Sequence, residues 1–236
     1  MAVVSCNHNT SRIVPATGDT AMKKTIAVIG AAERMGSTLA FALAAAGYCV
    51  LLSEDFEKRF TPLIGKLPFQ LAKIRLMIPQ ADARIVLSIR DASWEADIII
   101  SVVPREDQTE LARKIKDYVT GKIIVSVTNP LRDSCDGLAS APKSSAAEEL
   151  VELFPHSKIV KAFKTDSFSD FKMPQNAVRI SDVSVAGDDP EAVSTTMQLI
   201  KDVGFNPLFA GQITMCPKQQ DTVYKSDRLS PQLGPK

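Results

Sequence analysis

Short apolar runs rich in β-branched residues alternate along the chain with longer amphipathic segments, which is the pattern of strands alternating with helices. The clearest unit begins with the apolar run Thr25–Ile29, which ends at Gly30. Small and apolar residues then recur at helical spacing until Gly47, and a second apolar run follows at residues 48–52. The pattern predicts a strand, a glycine turn, a helix and a second strand.

The same alternation continues through most of the chain. Further strands are predicted at residues 84–88, 97–104, 122–127, 158–163, 183–187 and 206–210. Helices are predicted at residues 69–78 and 106–119, from Ser144 onward, and from Asp188 to about Val203. This spacing predicts an α/β fold of the Rossmann type, a doubly wound, mostly parallel sheet with helices on both faces. In such folds the ligand crevice lies at the carboxyl ends of the strands.

The predicted domain organisation follows from where this periodicity starts and stops. We expect one NAD(P)-binding Rossmann domain at residues 22–212, whose last strands and helices extend the same sheet. Residues 1–21 and 213–236 are polar and aperiodic, so we expect a disordered N-terminal arm and a disordered tail.

Composition excludes some classes of function. The 236 residues are 45% hydrophobic and carry a formal net charge of +1, without the basic patch typical of nucleic-acid-binding or membrane-surface proteins. No apolar stretch approaches the roughly 18 residues of a membrane span. The four cysteines lack metal-ligand spacing, so we expect reduced thiols, no metal and a cytoplasmic location.

The glycine turn carries the first candidate chemistry, because the first amides of a helix and its dipole favour a phosphate group. Gly30 and Gly36 fit the outer glycines of a dinucleotide fingerprint, one for the tight turn and one for close helix packing. Glu33 stands where the middle glycine belongs, with Arg34 beside it as a counter-charge. The alternative is a plain βαβ crossover without a ligand, in which an acid in the first turn simply suits the helix dipole.

Glu54 follows the second predicted strand, 24 residues after Gly30. An acid near this point holds the ribose hydroxyls of an NAD adenosine, whereas an arginine would hold the phosphate of NADP. Glu54 therefore favours NAD, the alternative being an exposed loop charge. Val103, Pro104 and Asn129 follow later strands, so the same crevice would include them.

Several motifs then occur in a distinctive order. They are GAAERMG at 30–36, the strand end at Val103 and Pro104, NPL at 129–131, SSAAEEL at 144–150, VKAFKT at 160–165 and VAGDDPEA at 185–192. Together they resemble the NADP oxidoreductases that use the deazaflavin coenzyme F-420, and their bacterial relatives. The resemblance implies NADP(H) binding, hydride transfer to a small planar acceptor such as a flavin or deazaflavin, and commonly a homodimer. It implies no metal and no acid–base catalytic residue.

Site residues follow from the resemblance position by position. The residues that would contact the pyrophosphate are Gly30, Glu33, Arg34, Met35 and Gly36, and those that would contact the adenosine ribose are Ser53 and Glu54. The residues that would border the nicotinamide are Val103, Pro104 and Asn129. The residues that would border the acceptor are Ala162, Phe163 and Lys164. The sequence departs from the family pattern at three of these positions, since Glu33 replaces a glycine, Glu54 a common arginine and Lys164 a common asparagine. The family's apolar last helix has no counterpart in residues 212–236.

These departures leave two other functions open. One is a nucleotide-binding or regulatory protein that has kept the fold and lost turnover. The other is a dehydrogenase of small hydroxy or imino acids, although such enzymes normally carry a long helical second domain.

Overall fold

The computed structural model describes residues 24–54, 66–127, 146–163 and 181–213. The strands are β1 Thr25–Ile29, β2 Cys49–Ser53, β3 Ala83–Ile85, β4 Ile98–Ser101, β5 Ile123–Ser126, β6 Lys158–Lys161, β7 Asp182–Gly187 and β8 Asn206–Gly211. The α-helices are α1 Arg34–Ala45, α2 Lys66–Met77, α3 Ile89–Glu95, α4 Gln108–Ile115, α5 Ala146–Leu153 and α6 Pro190–Asp202. The predicted arm and nearly all of the predicted tail lie outside the described residues.

The strands form one sheet in the order β3-β2-β1-β4-β5-β6-β7-β8. All neighbouring pairs are parallel except β6 and β7, which are antiparallel. The order reverses direction between β1 and β4, and this reversal opens a crevice at the carboxyl ends of those two strands. The predicted doubly wound, mostly parallel α/β fold is confirmed, with β7, α6 and β8 extending the same sheet.

Apolar side chains cover both faces of the sheet. Alternate residues of the central strands, such as Val28 and Ile100, pack on one face against Leu39 and Leu43 of α1 and Ile200 of α6. The intervening residues pack on the other face, which α3, α4 and α5 cover; they are Ile29, Ile99, Ile124 and Ile159. Each fully buried aliphatic side chain contributes about 1.5–3 kcal/mol, so these two layers dominate the stability of the sheet. No helix within the described ranges has the length and apolar character to cross a membrane.

Helix α3 is absent from the sequence-based prediction, which places a strand at residues 84–88. In the structure β3 is shorter, and the Ser88 side chain accepts a hydrogen bond of 3.2 Å from the Asp91 backbone N–H, which begins the helix. Seven residues give barely two helical turns, so their periodicity was too short to recognise.

Two predicted helices also have different bounds. α2 begins at Lys66, before Pro68, because a proline in the first turn costs no helical hydrogen bond. The helix predicted at 106–119 consists of α4 between two short 3₁₀ turns, Arg105–Asp107 and Lys116–Tyr118. Strand β6 stops at Lys161, two residues earlier than predicted.

The buried phenol of Tyr48, just before β2, is linked to α6, because its hydroxyl donates a 2.5 Å hydrogen bond to Asp202 Oδ2. Burial, and then the hydrogen bond to Asp202, raise the pKa of Tyr48 well above its usual range. The folded state therefore keeps this proton at a pH where the unfolded chain loses it. The stabilisation is complete below the unfolded pKa of about 10 and is lost as the pH rises through the folded pKa.

We predict that Tyr48→Phe lowers the free energy of unfolding by about 1 kcal/mol at pH 7, the net contribution of one hydrogen bond. The difference in free energy of unfolding between the variant and the wild type should shrink above about pH 10, because only the unfolded wild-type chain can lose this proton there. Urea unfolding at a series of pH values measures both effects. A constant difference from about pH 7 to about pH 11 would contradict the assignment.

Candidate functional site

Gly30 makes the tight turn at the carboxyl end of β1. Its φ is +88°, a left-handed conformation that favours glycine, and a Cβ atom there would overlap the Val102 carbonyl oxygen. The amides of Gly30 and Ala31 both donate to the Ser53 carbonyl at 3.1 Å. The turn is thus held between the ends of β2 and β4, at the bottom of the crevice.

Gly36 brings α1 close to this turn. A Cβ atom on Gly36 would lie 2.8 Å from the Gly30 carbonyl carbon and 3.0 Å from Ala31 Cα, so only glycine allows the helix to approach this closely. The first amides of a helix have no acceptor within the helix. The contact between the two glycines therefore directs the amino end of α1 into the crevice, where its dipole favours an anion.

Glu33 occupies the N-cap position of α1. Its backbone is extended, with φ −74° and ψ 157°, so the absence of glycine here causes no backbone strain. Its side chain makes no capping hydrogen bond. The effect of Glu33 on a bound anion must therefore come from the size and charge of its side chain.

Arg34 and Met35 begin α1 and differ in exposure. The Arg34 side chain is exposed, and its carbonyl accepts hydrogen bonds from the hydroxyls of Ser37 at 2.9 Å and Thr38 at 2.8 Å. The Met35 side chain packs against the core, which leaves its backbone amide as the group that could meet a phosphate.

Ser53 and Glu54 lie at the end of β2, and both are buried. The Ser53 hydroxyl donates to the Val86 carbonyl at 2.8 Å. Glu54 is only 7% exposed, and its Oε2 accepts the backbone N–H of Ala32 at 3.0 Å. The alternative of an exposed loop charge is therefore wrong. The Glu54 carboxylate supports the glycine turn and places a negative charge beside it.

The end of β4 forms the opposite wall of the crevice. Val103 packs against the cluster under α4, and Pro104 precedes the first 3₁₀ turn. The Arg105 guanidinium makes a bidentate ion pair with Glu149 of α5, with Nε 2.9 Å from Oε2. This pair fixes the segment after β4 to the helix that follows β5.

The residues predicted to border the acceptor follow β6. Ala162 and Phe163 are buried, and the Phe163 ring packs in the core edge-to-face with Phe205, with 6.5 Å between the ring centroids. Phe163 has φ +56°, which is uncommon for a bulky residue. Since its ring is in the core, Phe163 could border a pocket only through its backbone. Asn129 and Lys164 lie outside the described residues.

Two buried polar residues near the crevice were missed from the sequence. Ser101 ends β4 and Gln108 begins α4, and each is 1% exposed. Within the described part of the chain, the Ser101 hydroxyl and both polar atoms of the Gln108 amide have no hydrogen-bond partner. The helical spacing could have identified Gln108, because it places this residue on the same buried face of α4 as Leu111, Ala112 and Ile115.

The sequence of residues 25–130, which includes the glycine turn and the end of β4, matches the family described as NADP oxidoreductase, coenzyme F420-dependent. Over these residues the chain is similar to that family. Among its curated relatives, the F420-dependent NADP reductase of Methanocaldococcus jannaschii is 29% identical over 182 residues, which cover 75% of this chain and 79% of the relative. Metalloreductase STEAP3 of Rattus norvegicus is 26% identical over 192 residues, or 80% of this chain but 34% of that protein.

Solved structures support the same Rossmann-type fold. A candidate F420-dependent NADP reductase from Arthrobacter sp. FB24 superposes with a TM-score of 0.65 at 23% identity, covering 86% of this chain and 92% of that one. Pyrroline carboxylate reductase from Plasmodium falciparum, solved with NADP bound, gives a TM-score of 0.53 at 13% identity and covers 87% and 68% of the two chains. At these identities the likeness concerns the fold alone.

We predict that Gly36→Ala destabilises the protein by about 1–3 kcal/mol, because the added methyl group would separate α1 from the turn. Helix propensity alone would give the opposite sign, since alanine is better than glycine in a helix by about 1 kcal/mol. Thermal unfolding and urea titration measure the effect.

Gly121→Ala is the matched control. Gly121 has φ +74°, and a Cβ atom added there would meet only open space, so its replacement should cost about 1 kcal/mol through backbone conformation alone. Unchanged or increased stability of Gly36→Ala would show that the contact between the two glycines does not restrict the helix.

Proposed function

We propose that the protein is an NAD(P)H-dependent oxidoreductase that passes a hydride between a nicotinamide cofactor and a small planar acceptor, flavin-like or deazaflavin-like. The observation that carries this proposal is the glycine cradle, defined as Gly30, Gly36 and the amino end of α1. A side chain on either glycine would overlap neighbouring backbone atoms and push the backbone amides away from the crevice. A cofactor pyrophosphate fits such a cradle because amides and helix dipole both favour an anion.

The chain's own residues would bind and orient rather than transfer protons. The cradle would hold the pyrophosphate, Glu54 would face the adenosine ribose, and Val103 and Pro104 would border the nicotinamide. The bound nicotinamide supplies or accepts the hydride. The buried ends of β1 and β4 and the ion pair between Arg105 and Glu149 would provide the rigid support that such a transfer needs.

The identity of the dinucleotide depends on Glu54. The M. jannaschii relative is named for NADP, which favours NADP(H), whereas a buried carboxylate at the end of β2 favours the free ribose hydroxyls of NAD(H). We propose that the crevice accepts either cofactor and that the Glu54 charge sets their ratio. A small-molecule acceptor next to Ala162, Phe163 and Lys164, and a homodimer, complete the proposal.

The second candidate is a Rossmann protein that binds nucleotides or regulates another process without turnover. It is favoured by the two acids at the cradle. Glu33 stands at the amino end of α1, and Glu54 already accepts one amide of the turn. Both carboxylates would oppose a pyrophosphate.

We predict that Glu54→Gln raises the ratio of NADPH to NADH affinity about tenfold, equivalent to about 1.4 kcal/mol. The amide oxygen can still accept the Ala32 N–H, so the turn is kept while the charge near the ribose is removed. Parallel calorimetric titrations of the variant and the wild type measure the ratio.

Glu33→Gln is the matched control, since it also converts an acid to its amide. Its charge faces the pyrophosphate that both cofactors share, so both affinities should rise and their ratio should stay constant. An unchanged ratio in Glu54→Gln would place Glu54 away from the ribose. Failure of the folded wild-type protein to bind either cofactor would overturn the proposed function.

Turnover separates the two candidates. We predict steady-state oxidation of NADPH or NADH by the wild-type protein at catalytic concentration when a flavin or deazaflavin is supplied as acceptor. Spectrophotometry at the absorbance of the reduced nicotinamide follows the reaction. Tight binding without turnover for any such acceptor would favour the regulatory candidate.

A further inference from the structure

Ser101 and Gln108 are two buried polar residues at the end of β4 and the start of α4. The Ser101 hydroxyl and the Gln108 side-chain amide are buried, and neither finds a hydrogen-bond partner among the residues that the structure describes. The great majority of buried polar groups are paired, and an unpaired one carries a marked cost in stability. Two such unpaired residues in consecutive elements of the chain therefore require an explanation.

The fold places both side chains on the same face of the sheet. Ser101 is two residues after Ile99, so both point to the face covered by α4. Its register partners are Ile29 on β1 and Ser126 on β5, which also lie at the carboxyl ends of their strands. Ser101 therefore lies at the crevice edge of this layer.

Gln108 extends the buried face of α4 toward the same edge. It precedes Leu111, Ala112 and Ile115 by three, four and seven residues, and those three side chains pack in the layer under α4. Because α4 follows β4 through one short turn, its first residue lies near the carboxyl end of that strand. A leucine at position 108 would continue the apolar face without an unpaired group.

We propose that Gln108 and Ser101 bind the primary carboxamide of the nicotinamide ring. This inference rests on the proposed function, because it assigns residues of the same crevice. A dinucleotide whose adenosine lies at the end of β2 crosses the reversal of strand order toward β4, which brings its nicotinamide end to this side. A glutamine amide complements a carboxamide, since each offers N–H donors and an oxygen acceptor, and the serine hydroxyl adds a further partner.

The test uses three variants of the full chain, Gln108→Leu, Ser101→Ala and Ser93→Ala. Ser93 is the matched control because it is also a buried serine whose hydroxyl is unpaired among the described residues. It lies at the opposite edge of the sheet, where its carbonyl accepts the Lys122 ammonium at 2.8 Å just before β5 begins. Each variant is titrated with NADPH and with 2′-phospho-ADP-ribose, which lacks the nicotinamide ring, and its thermal stability is measured without ligand.

For Gln108→Leu, we expect thermal stability and NADPH affinity to change in opposite directions. Gln108→Leu should be at least as stable as the wild type, because an unpaired amide is removed, yet should bind NADPH about tenfold more weakly. Ser101→Ala should lose about threefold in NADPH affinity, since a single hydroxyl makes fewer hydrogen bonds than an amide. Binding of 2′-phospho-ADP-ribose should be unchanged in all variants, and Ser93→Ala should bind both ligands as the wild type does.

Four outcomes would overturn the proposal. Equal NADPH affinity in Gln108→Leu and the wild type would show that the amide does not meet the ligand. If Gln108→Leu lost affinity equally for NADPH and 2′-phospho-ADP-ribose, Gln108 would support the whole crevice rather than bind the carboxamide. A marked loss of stability in Gln108→Leu would indicate an amide that is paired in solution, for example by buried water. A wild-type protein that binds neither ligand would overturn the proposed function and this inference together, whereas the first three outcomes leave the proposed function intact.

Discussion

The close contact between Gly36 and Gly30 is the constraint on which the geometry of the crevice depends. Without side chains at these positions, α1 rests on the turn that ends β1, and the turn rests on the carbonyl at the end of β4. The same contact packs the apolar face of α1 on the sheet and directs its first amides into the crevice. Core packing and the orientation of these amides thus share one steric requirement.

Negative charge beside this cradle is the main feature that separates the chain from a simple dinucleotide fingerprint. Glu54 is buried and bound to the turn, so its carboxylate contributes to the local structure as well as to the electrostatics of the crevice. A carboxylate accepting a buried amide stabilises the turn, and in the proposed function the same charge would select against a phosphate on the ribose. Local structure and cofactor choice would then be coupled through this one side chain.

At the opposite wall of the crevice, some polar side chains are paired and others have no partner among the described residues. Arg105 and Glu149 are engaged with one another and hold the segment after β4 against α5. Ser101 and Gln108, a short distance along the chain, are buried without partners among the described residues. Unpaired polar groups at the edge of an apolar layer lower the stability of the fold relative to apolar side chains at the same positions. Such losses of stability are typical of binding sites.

The sequence alone determined the alternation of strands and helices, the fold class and the steric roles of Gly30 and Gly36, because these depend on local periodicity and on conformations that only glycine allows. Only the tertiary structure showed that the carboxylate of Glu54 bonds to Ala32, 22 residues away, and that the Phe163 ring packs in the core. It also brought Gln108 to the same edge of the sheet as Ser101. Strand order and helix packing decide which distant side chains meet, and local patterns do not encode those distances.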